Sequence, residues 1–291
     1  MNIAIVGATG NVGRKTLEVL EKKEFSIDNL YLVASSKSIG KEIKFESNSL
    51  EIESIEMALS KNPEIAIFCA GGEISKKWAP IFSKNGITVI DNSSAWRMDH
   101  QVPLVVPEIN GSSIKKSNKI IANPNCSTIQ MVLALKEIHK RFIIDRIVVS
   151  TYQSVTGTGA AAVKQMMDER NEIESDKVYP HPIDKNCFPH GGDFLPNGYT
   201  TEEIKLVDET RKIFNSPEIK VTATVVRIPV IGGHSMAVNV NTKTPFKIEE
   251  IYDAFQATPG VIIKNDNLNF DYPMPLTAHE RNEVFVGRIR E

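Results

Sequence analysis

The run Asn2-Ile3-Ala4-Ile5-Val6-Gly7-Ala8-Thr9-Gly10-Asn11-Val12-Gly13 decides how the chain begins to fold. Asn2 to Val6 is apolar, β-branched and bounded by glycine, the pattern of a buried strand. Gly7, Gly10 and Gly13 come next, and a helical pattern follows. It sets Val12, Thr16, Leu17 and Leu20 on one face and Arg14, Lys15, Glu18 and Glu21 on the other. Strand, glycine turn and helix in this order bring a pyrophosphate against backbone N–H groups at the positive end of the helix. The spacing Gly-x-x-Gly-x-x-Gly is a variant of the usual fingerprint. The plainer alternative is that these glycines serve only a tight turn and close packing.

Moving outward, Leu30 to Ala34 reads as a second strand. Nucleotide-binding units that take NAD often carry Asp or Glu at this strand's end to hold the ribose 2′-hydroxyl. Here the end reads Ser35-Ser36-Lys37-Ser38, with Lys41 nearby. Hydroxyls and a cation suit a 2′-phosphate, so the residues favour NADP over NAD; a polar surface loop is the alternative. Further strands are expected at Ile65 to Cys69, Thr88 to Ile90 and Lys119 to Ala122. Small and polar residues follow two of them, Ala70-Gly71-Gly72 and Asp91-Asn92-Ser93-Ser94, as expected where a ligand crosses the carboxyl edge of a sheet. Cys69 reads as a packing residue inside its strand.

The 291 residues suffice for two ordinary domains. Hydrophobic content of 41%, charged content of 24% and a net charge of −2 describe a globular chain without a basic stripe or acidic tail. Nucleic-acid binding is therefore not expected. No apolar run approaches the roughly 20 residues that span a bilayer, and no charged cluster precedes an h-region, so a cytoplasmic enzyme is the default. Cys69, Cys126 and Cys187 are odd in number and widely spaced, which indicates neither a disulfide framework nor a metal site.

One of these cysteines stands apart. Asn123-Pro124-Asn125-Cys126-Ser127-Thr128 precedes a helical stretch to about Phe142, with Ile129, Val132, Leu133, Leu135 and Ile138 on its apolar side. Cys126 thus falls at a helix start, where unpaired N–H groups and the dipole favour a thiolate. The same N–H groups can donate to an oxyanion when a carbonyl carbon becomes tetrahedral. A buried, inert cysteine is the competing reading.

Taken together, the motifs resemble aspartate-semialdehyde dehydrogenases in order and spacing. They are Gly7 to Gly13, Asp91-Asn92-Ser93-Ser94, Val105-Val106-Pro107-Glu108-Ile109-Asn110, Pro124 to Thr128 and Ser150 to Gly157. Glu202-Glu203-Ile204-Lys205, Arg227 to His234 and Val286 to Arg290 complete the set, which covers the whole chain. The resemblance implies a reversible, NADP-dependent conversion of L-4-aspartyl phosphate into aspartate-4-semialdehyde and phosphate, within lysine, threonine, methionine and diaminopimelate biosynthesis. It implies Cys126 as nucleophile, His234 as acid/base and Gln153 beside the substrate. Arg227 would hold the substrate α-carboxylate, Glu202 its ammonium, and Arg97 with Lys205 the phosphate. Gly7, Thr9, Gly10, Asn11 and Val12, the loop Ser35, Ser36, Lys37 and Ser38, and Thr156 with Gly157 would contact the cofactor. No metal is implied, and a homodimer is.

Local chemistry bears on these roles unevenly. Glu202 and Lys205 are three apart on a helix and share a face; a surface ion pair is their other reading. Nothing local separates His234 from His181 or His190. The family commonly carries arginine where this chain has Lys37, and lysine cannot make a bidentate contact to a phosphate. Its members usually continue a few dozen residues past the position of Glu291, with a last strand and helix of the nucleotide domain and an amide side chain near the nicotinamide.

The expected architecture is α/β. Residues 1–127 form a Rossmann-type nucleotide-binding domain. Residues 128–291 form an α+β catalytic and dimerisation domain with a mixed or antiparallel sheet from Arg146 to Gln153, Val221 to Ile228 and Ala237 to Asn241. Residues 171–199, rich in Pro, Asn, Asp and Gly, read as an irregular excursion that contains Cys187. The nearest rival is an N-acetyl-glutamyl-phosphate reductase, against which Glu202 argues, since an acetylated nitrogen carries no charge to pair. A rival of another class is a catalytically silent nucleotide-binding or dimerisation protein, against which the set Cys126, Gln153, Arg227 and His234 weighs.

Overall fold

The computed structural model describes residues 1–174 and 176–291, so Ser175, inside the expected excursion, lies outside the described residues. The chain divides into two compact units, Met1–Pro124 and Asn125–Glu291.

The first unit is a doubly wound α/β sheet. Its elements are β1 (Asn2–Val6), α1 (Asn11–Lys22), β2 (Asn29–Val33), β3 (Glu42–Phe45), β4 (Asn48–Glu53), α2 (Ile55–Ser60), β5 (Ile65–Phe68), α3 (Gly72–Lys84), β6 (Thr88–Asp91), α4 (Pro107–Asn110) and β7 (Ile120–Ala122). The strand order is β3-β4-β2-β1-β5-β6-β7, and only β3 runs antiparallel to its neighbour. Strands buried on both faces need apolar residues at every position. β1 meets this with Ile3 to Val6 all buried, and cores form on both sides of the sheet. Ala4, Val6, Phe68 and Phe82 build one core; Ile3, Ile5, Leu17 and Leu20 build the other.

Three expectations need correction here. Val12 is not on the inner face of α1: it is 52% exposed, and Gly13 is buried with Leu17 and Leu20. The helix lies so close to the Gly7-Ala8 turn that only a hydrogen fits at the contact, which moves the inward stripe by one residue. Cys69 lies just past β5 rather than within it, half-buried beside Thr16 and Asn92, and burial raises its thiol pKa above the ordinary value. The division falls after Pro124, so Cys126 opens the second unit instead of closing the first, because the helix it begins packs into the second unit's core.

That unit contains α5 (Cys126–Phe142), β8 (Ile144–Gln153), α6 (Ala160–Arg170), α7 (Thr201–Phe214), β9 (Lys220–Arg227), β10 (Ser235–Thr242), α8 (Ile248–Gln256), β11 (Val261–Ile263), α9 (Pro275–Ala278) and β12 (Val284–Val286). Its main sheet runs β10-β8-β9, with β10 antiparallel and β9 parallel to β8. Period-two alternation sends Ile147, Val149, Val221, Ala223 and Val225 to one face. There they join Met131, Leu135, Ile138 and Phe142 of α5, Leu206 of α7, and Ile251 and Phe255 of α8. Each Val, Leu, Ile, Phe or Met side chain among them stabilises the fold by about 1.5–3 kcal/mol when fully buried. The opposite face leaves Tyr152, Thr222, Thr224, Ala237 and Asn239 exposed. The described residues between α6 and α7 form no helix or strand, only isolated bridges such as Phe188 with Arg227. No helix among the described residues is long and apolar enough to cross a membrane.

Candidate active site

In the first unit, the turn between β1 and α1 is a backbone cradle. Gly7 adopts φ +95°, and a Cβ there would lie 2.8 Å from the Cys69 carbonyl carbon. A Cβ on Gly13 would lie 2.2 Å from the Gly7 carbonyl oxygen, so that position also admits no side chain. Gly10 is the N-cap of α1, and no side chain caps this helix. Thr9, Gly10, Asn11 and Val12 are exposed beside that start. A helix beginning without a capping side chain, behind glycines that keep the turn tight, fits a dinucleotide pyrophosphate. After β2, Ser36–Ser38 form a 3₁₀ turn; Ser35, Ser36 and Lys37 are exposed, and no carboxylate stands at the strand end. Arg97 is nearly buried. Its Nε donates to the Asn123 carbonyl at 2.9 Å and its Nη2 to the Asn92 carbonyl at 3.0 Å, which binds it to the loops after β6 and β7.

The second unit assembles its candidates around two centres. The first is Asn125. As the N-cap of α5, its Oδ1 accepts from Ser127 N–H at 2.9 Å and Thr128 N–H at 3.3 Å. Its Nδ2 donates to Glu202 Oε1 at 2.5 Å, and its own N–H donates to Glu209 Oε2 at 2.6 Å. Cys126 follows directly and is exposed. This corrects one expectation: the Ser127 and Thr128 N–H groups serve the cap rather than standing ready for an oxyanion. Glu209, 1% exposed on α7, and Asn125 were missed as site residues in the sequence. Asparagine before a helical run was the available sign of a cap; Glu209 has no sequence sign beyond lying seven residues after Glu202.

Glu202 and Lys205 do pair, Lys205 Nζ donating to Glu202 Oε2 at 2.7 Å. The pair is not an ordinary surface bridge, because Glu202 also takes the Asn125 amide. Burial alone would raise the Glu202 carboxyl pKa. The charge and hydrogen bond of Lys205, the Asn125 amide and the Arg227 charge outweigh it and hold the group below the usual range.

The second centre is Ser154, at the end of β8. Gln153 pairs in register with Arg227, and Tyr152 with Ser235, so one end of the sheet presents Gln153, Arg227 and the chain entering β10. Gln153 is 1% exposed, and its Nε2 donates to Ser127 Oγ at 2.8 Å. Arg227 Nη1 donates to the Ser154 carbonyl at 2.8 Å, while its buried Nε has no partner among the described residues. Ser154 N–H donates to His234 Nδ1 at 3.1 Å. A Cβ on Gly157 would lie 3.1 Å from His234 Nε2 and 3.6 Å from Arg227 Nη1, so Gly157 leaves the space before both groups open. Thr156 Oγ1 lies 2.6 Å from Ser154 Oγ. Burial first, and the Arg227 charge second, depress the His234 pKa to about 4.

The structure separates the three histidines that the sequence could not. His190 stacks on Phe194 and His181 lies against Phe188, whereas His234 faces Ser154. Cys187 is exposed within the excursion. Among the described residues, no group of three or more His, Cys, Asp or Glu could hold a metal ion.

A bare helix start in one unit, and in the other a cysteine at a helix start together with a carboxylate, an arginine and a histidine, define a class: a dinucleotide-dependent dehydrogenase with a separate catalytic domain. Family models agree, the semialdehyde dehydrogenase NAD-binding domain matching residues 2–117 and the semialdehyde dehydrogenase dimerisation domain residues 135–291. The chain is 49% identical over 298 aligned positions to aspartate-semialdehyde dehydrogenase of Aquifex aeolicus, covering 99% of this chain and 88% of that one. It is 43% identical to aspartate-semialdehyde dehydrogenase 2 of Vibrio cholerae, over 99% of this chain and 87% of that one. The crystal structure of aspartate semialdehyde dehydrogenase II from Vibrio cholerae superposes with a TM-score of 0.94 at 44% identity, over 100% of this chain and 88% of that chain. A structure of that protein complexed with ASA also matches with a TM-score of 0.94. The chain belongs to the aspartate-semialdehyde dehydrogenase family, whose members are oxidoreductases.

Proposed function

We propose that this chain catalyses the NADP-dependent, reversible reductive dephosphorylation of L-4-aspartyl phosphate to aspartate-4-semialdehyde through a thioester on Cys126. The observation that carries the reading is the Asn125 hub. One residue starts the cysteine's helix and holds Glu202, so the nucleophile and a substrate-reading carboxylate are fixed against each other.

Cys126 attacks the acyl carbon and phosphate leaves; a thiolate is both nucleophile and leaving group, so one residue serves formation and breakdown of the acyl-enzyme. Arg227 offers a carboxylate a bidentate match, and its buried Nε, without a partner among the described residues, is a donor in want of an acceptor. Glu202, held anionic, pairs with the substrate ammonium and so favours an amino acid over a plain dicarboxylate. Lys205 neutralises phosphate. Gln153 orients the acyl group, and His234 is the partner for charge on its oxygen. A reduced nicotinamide, when bound, supplies hydride. Gly7, Thr9, Gly10, Asn11 and Val12 would hold its pyrophosphate, and Ser35, Ser36, Lys37 and Ser38 a 2′-phosphate. The exposed hydroxyls and the Lys37 ammonium, with no carboxylate in their place, support NADP over NAD. The open face of the β10-β8-β9 sheet supports a homodimer, in keeping with the dimerisation-domain match.

The test is NADP reduction with aspartate-semialdehyde, run with and without phosphate. Strong phosphate-dependent reduction supports the reading; a folded chain that binds NADP yet gives no phosphate-dependent signal overturns it.

A further inference from the structure

Ser154 touches both Arg227 and His234, and its bond to His234 has only one possible direction. A backbone N–H can donate but never accept, so His234 Nδ1, 3.1 Å away, must present a lone pair. The hydroxyls nearby do not alter this. Ser154 Oγ lies 3.2 Å from Nδ1 and 2.6 Å from the Gly232 carbonyl, which Thr156 Oγ1 also reaches at 3.1 Å. The Ser154 proton can go to Nδ1, to the Gly232 carbonyl or to Thr156 Oγ1, and in each arrangement the backbone N–H still requires a lone pair on Nδ1. We propose that Ser154 locks His234 as the Nε2–H tautomer, so that His234 acts as a neutral hydrogen-bond donor to the substrate oxygen rather than as a base at Nε2, with Ser154 its positioning residue. This rests on the function proposed above and specifies how one of its residues works.

The chemistry needs no more than a donor there. When the thioester carbonyl becomes tetrahedral, its π pair moves onto oxygen. When the aldehyde forms, that pair returns and the C–S pair leaves on sulfur as thiolate. No net proton crosses the oxygen in this sequence, and a neutral imidazole N–H stabilises the anion without becoming one itself. The surroundings agree. Asn125 already occupies the Ser127 and Thr128 N–H groups, so these are not the donors for that oxygen. Gly157 keeps the space before Nε2 open. Two charged groups act on the ring, Arg227 of β9 disfavouring the imidazolium and Glu202 of α7 favouring it, and burial outweighs both.

Two readouts decide the proposal. Nitrogen-15 NMR of histidine-labelled protein, with His234 assigned from the difference spectrum of His234→Asn, reports the tautomer whether or not the chain is active. A protonated Nε2 and bare Nδ1, unchanged between about pH 6 and 8, is expected; a protonated Nδ1 or an imidazolium in that range overturns the lock. In kinetics, a glutamine amide reaches the Nε2 position and can donate but cannot act as a base. His234→Gln should therefore keep about tenfold or more of the activity that His234→Ala loses, against the roughly 10²–10³-fold that a single oxyanion donor contributes. Equal loss in both variants, each folded, overturns the donor role. An enzyme silent in the phosphate-dependent assay would sink the proposed function while leaving the NMR result to stand or fall alone.

Discussion

The two units each begin a helix at a place that matters, and they begin it in opposite ways. α1 starts at a glycine with no capping side chain, among exposed residues. α5 starts at an asparagine whose side chain and backbone N–H bond to Ser127, Thr128, Glu202 and Glu209. A helix start left uncapped keeps its positive end for an anion that comes and goes. A start tied into a network spends its donors internally and gains a fixed position for the side chain that follows. The same element end therefore serves as a binding site in one unit and as a mount in the other.

Four experiments can break or sharpen this contrast. The largest effect belongs to what the mount carries: Cys126→Ser should lower turnover by about 10³-fold or more while NADP binding, measured by fluorescence titration, stays near the parent value. Retained turnover would remove the reason for the network. Next is acid sensitivity in the second unit. An unfolded histidine takes its proton near pH 6.5 but His234 only near pH 4, so between these values the unfolded chain alone is protonated and stability falls as pH falls. The loss should be on the order of 2–3 kcal/mol, and denaturant midpoints of His234→Asn should show a shallower decline over that range. An identical decline in both proteins would contradict the depressed pKa.

Capping the bare start is the third test. Gly10 has φ −77° and ψ 165°, an extended conformation that aspartate accepts, and a Cβ there meets nothing closer than 3.5 Å. Gly10→Asp should leave folding stability level or raise it by a few tenths of a kcal/mol. Its carboxylate would oppose the cofactor phosphates and weaken NADP binding by about tenfold, or ~1.4 kcal/mol. Unchanged affinity would mean that the bare start is not the anion site. The smallest effect is expected for Asn125→Ala, where a lost cap costs about 1 kcal/mol in thermal or chemical denaturation. The iodoacetamide reaction rate of Cys126 should change along with it, since its mount has loosened; a stability loss with the rate untouched would make Asn125 a cap and nothing more.

The contrast also marks what the sequence could say. The bare start was legible because glycine spacing after an apolar run is a local pattern, as was the sheet it belongs to. Val12 was misassigned because an amphipathic wheel assumes the helix rests on its side chains, whereas here Gly13 lets backbone meet backbone. The hairpin of β3 and β4 escaped notice because Glu42, Lys44, Ser49 and Glu51 dilute its apolar positions. In the second unit, Cys126 and the strands carrying Gln153 and Arg227 could be read, and the family pattern pointed to His234. The hydrogen bonds that join them could not. Glu209 in the sequence is one acid among many on an amphipathic helix, and its partnership with Asn125 exists only once α7 lies beside α5. Ser154 acts on His234 through its backbone N–H, a group every residue but proline has, so no side-chain motif could announce it.

The bonds around Asn125 and Ser154 also set an order of events. Asn125 meets Glu202 across 77 residues and Glu209 across 84, and Ser154 meets Arg227 across 73 and His234 across 80. Such closures come only after the local helices and hairpins exist, because the chain entropy they cost must be met by contacts already made. During refolding, secondary structure should return before the native rate of Cys126 alkylation and before turnover. The last property this chain acquires on its way to the native state is the one that distinguishes it from any other two-unit α/β protein.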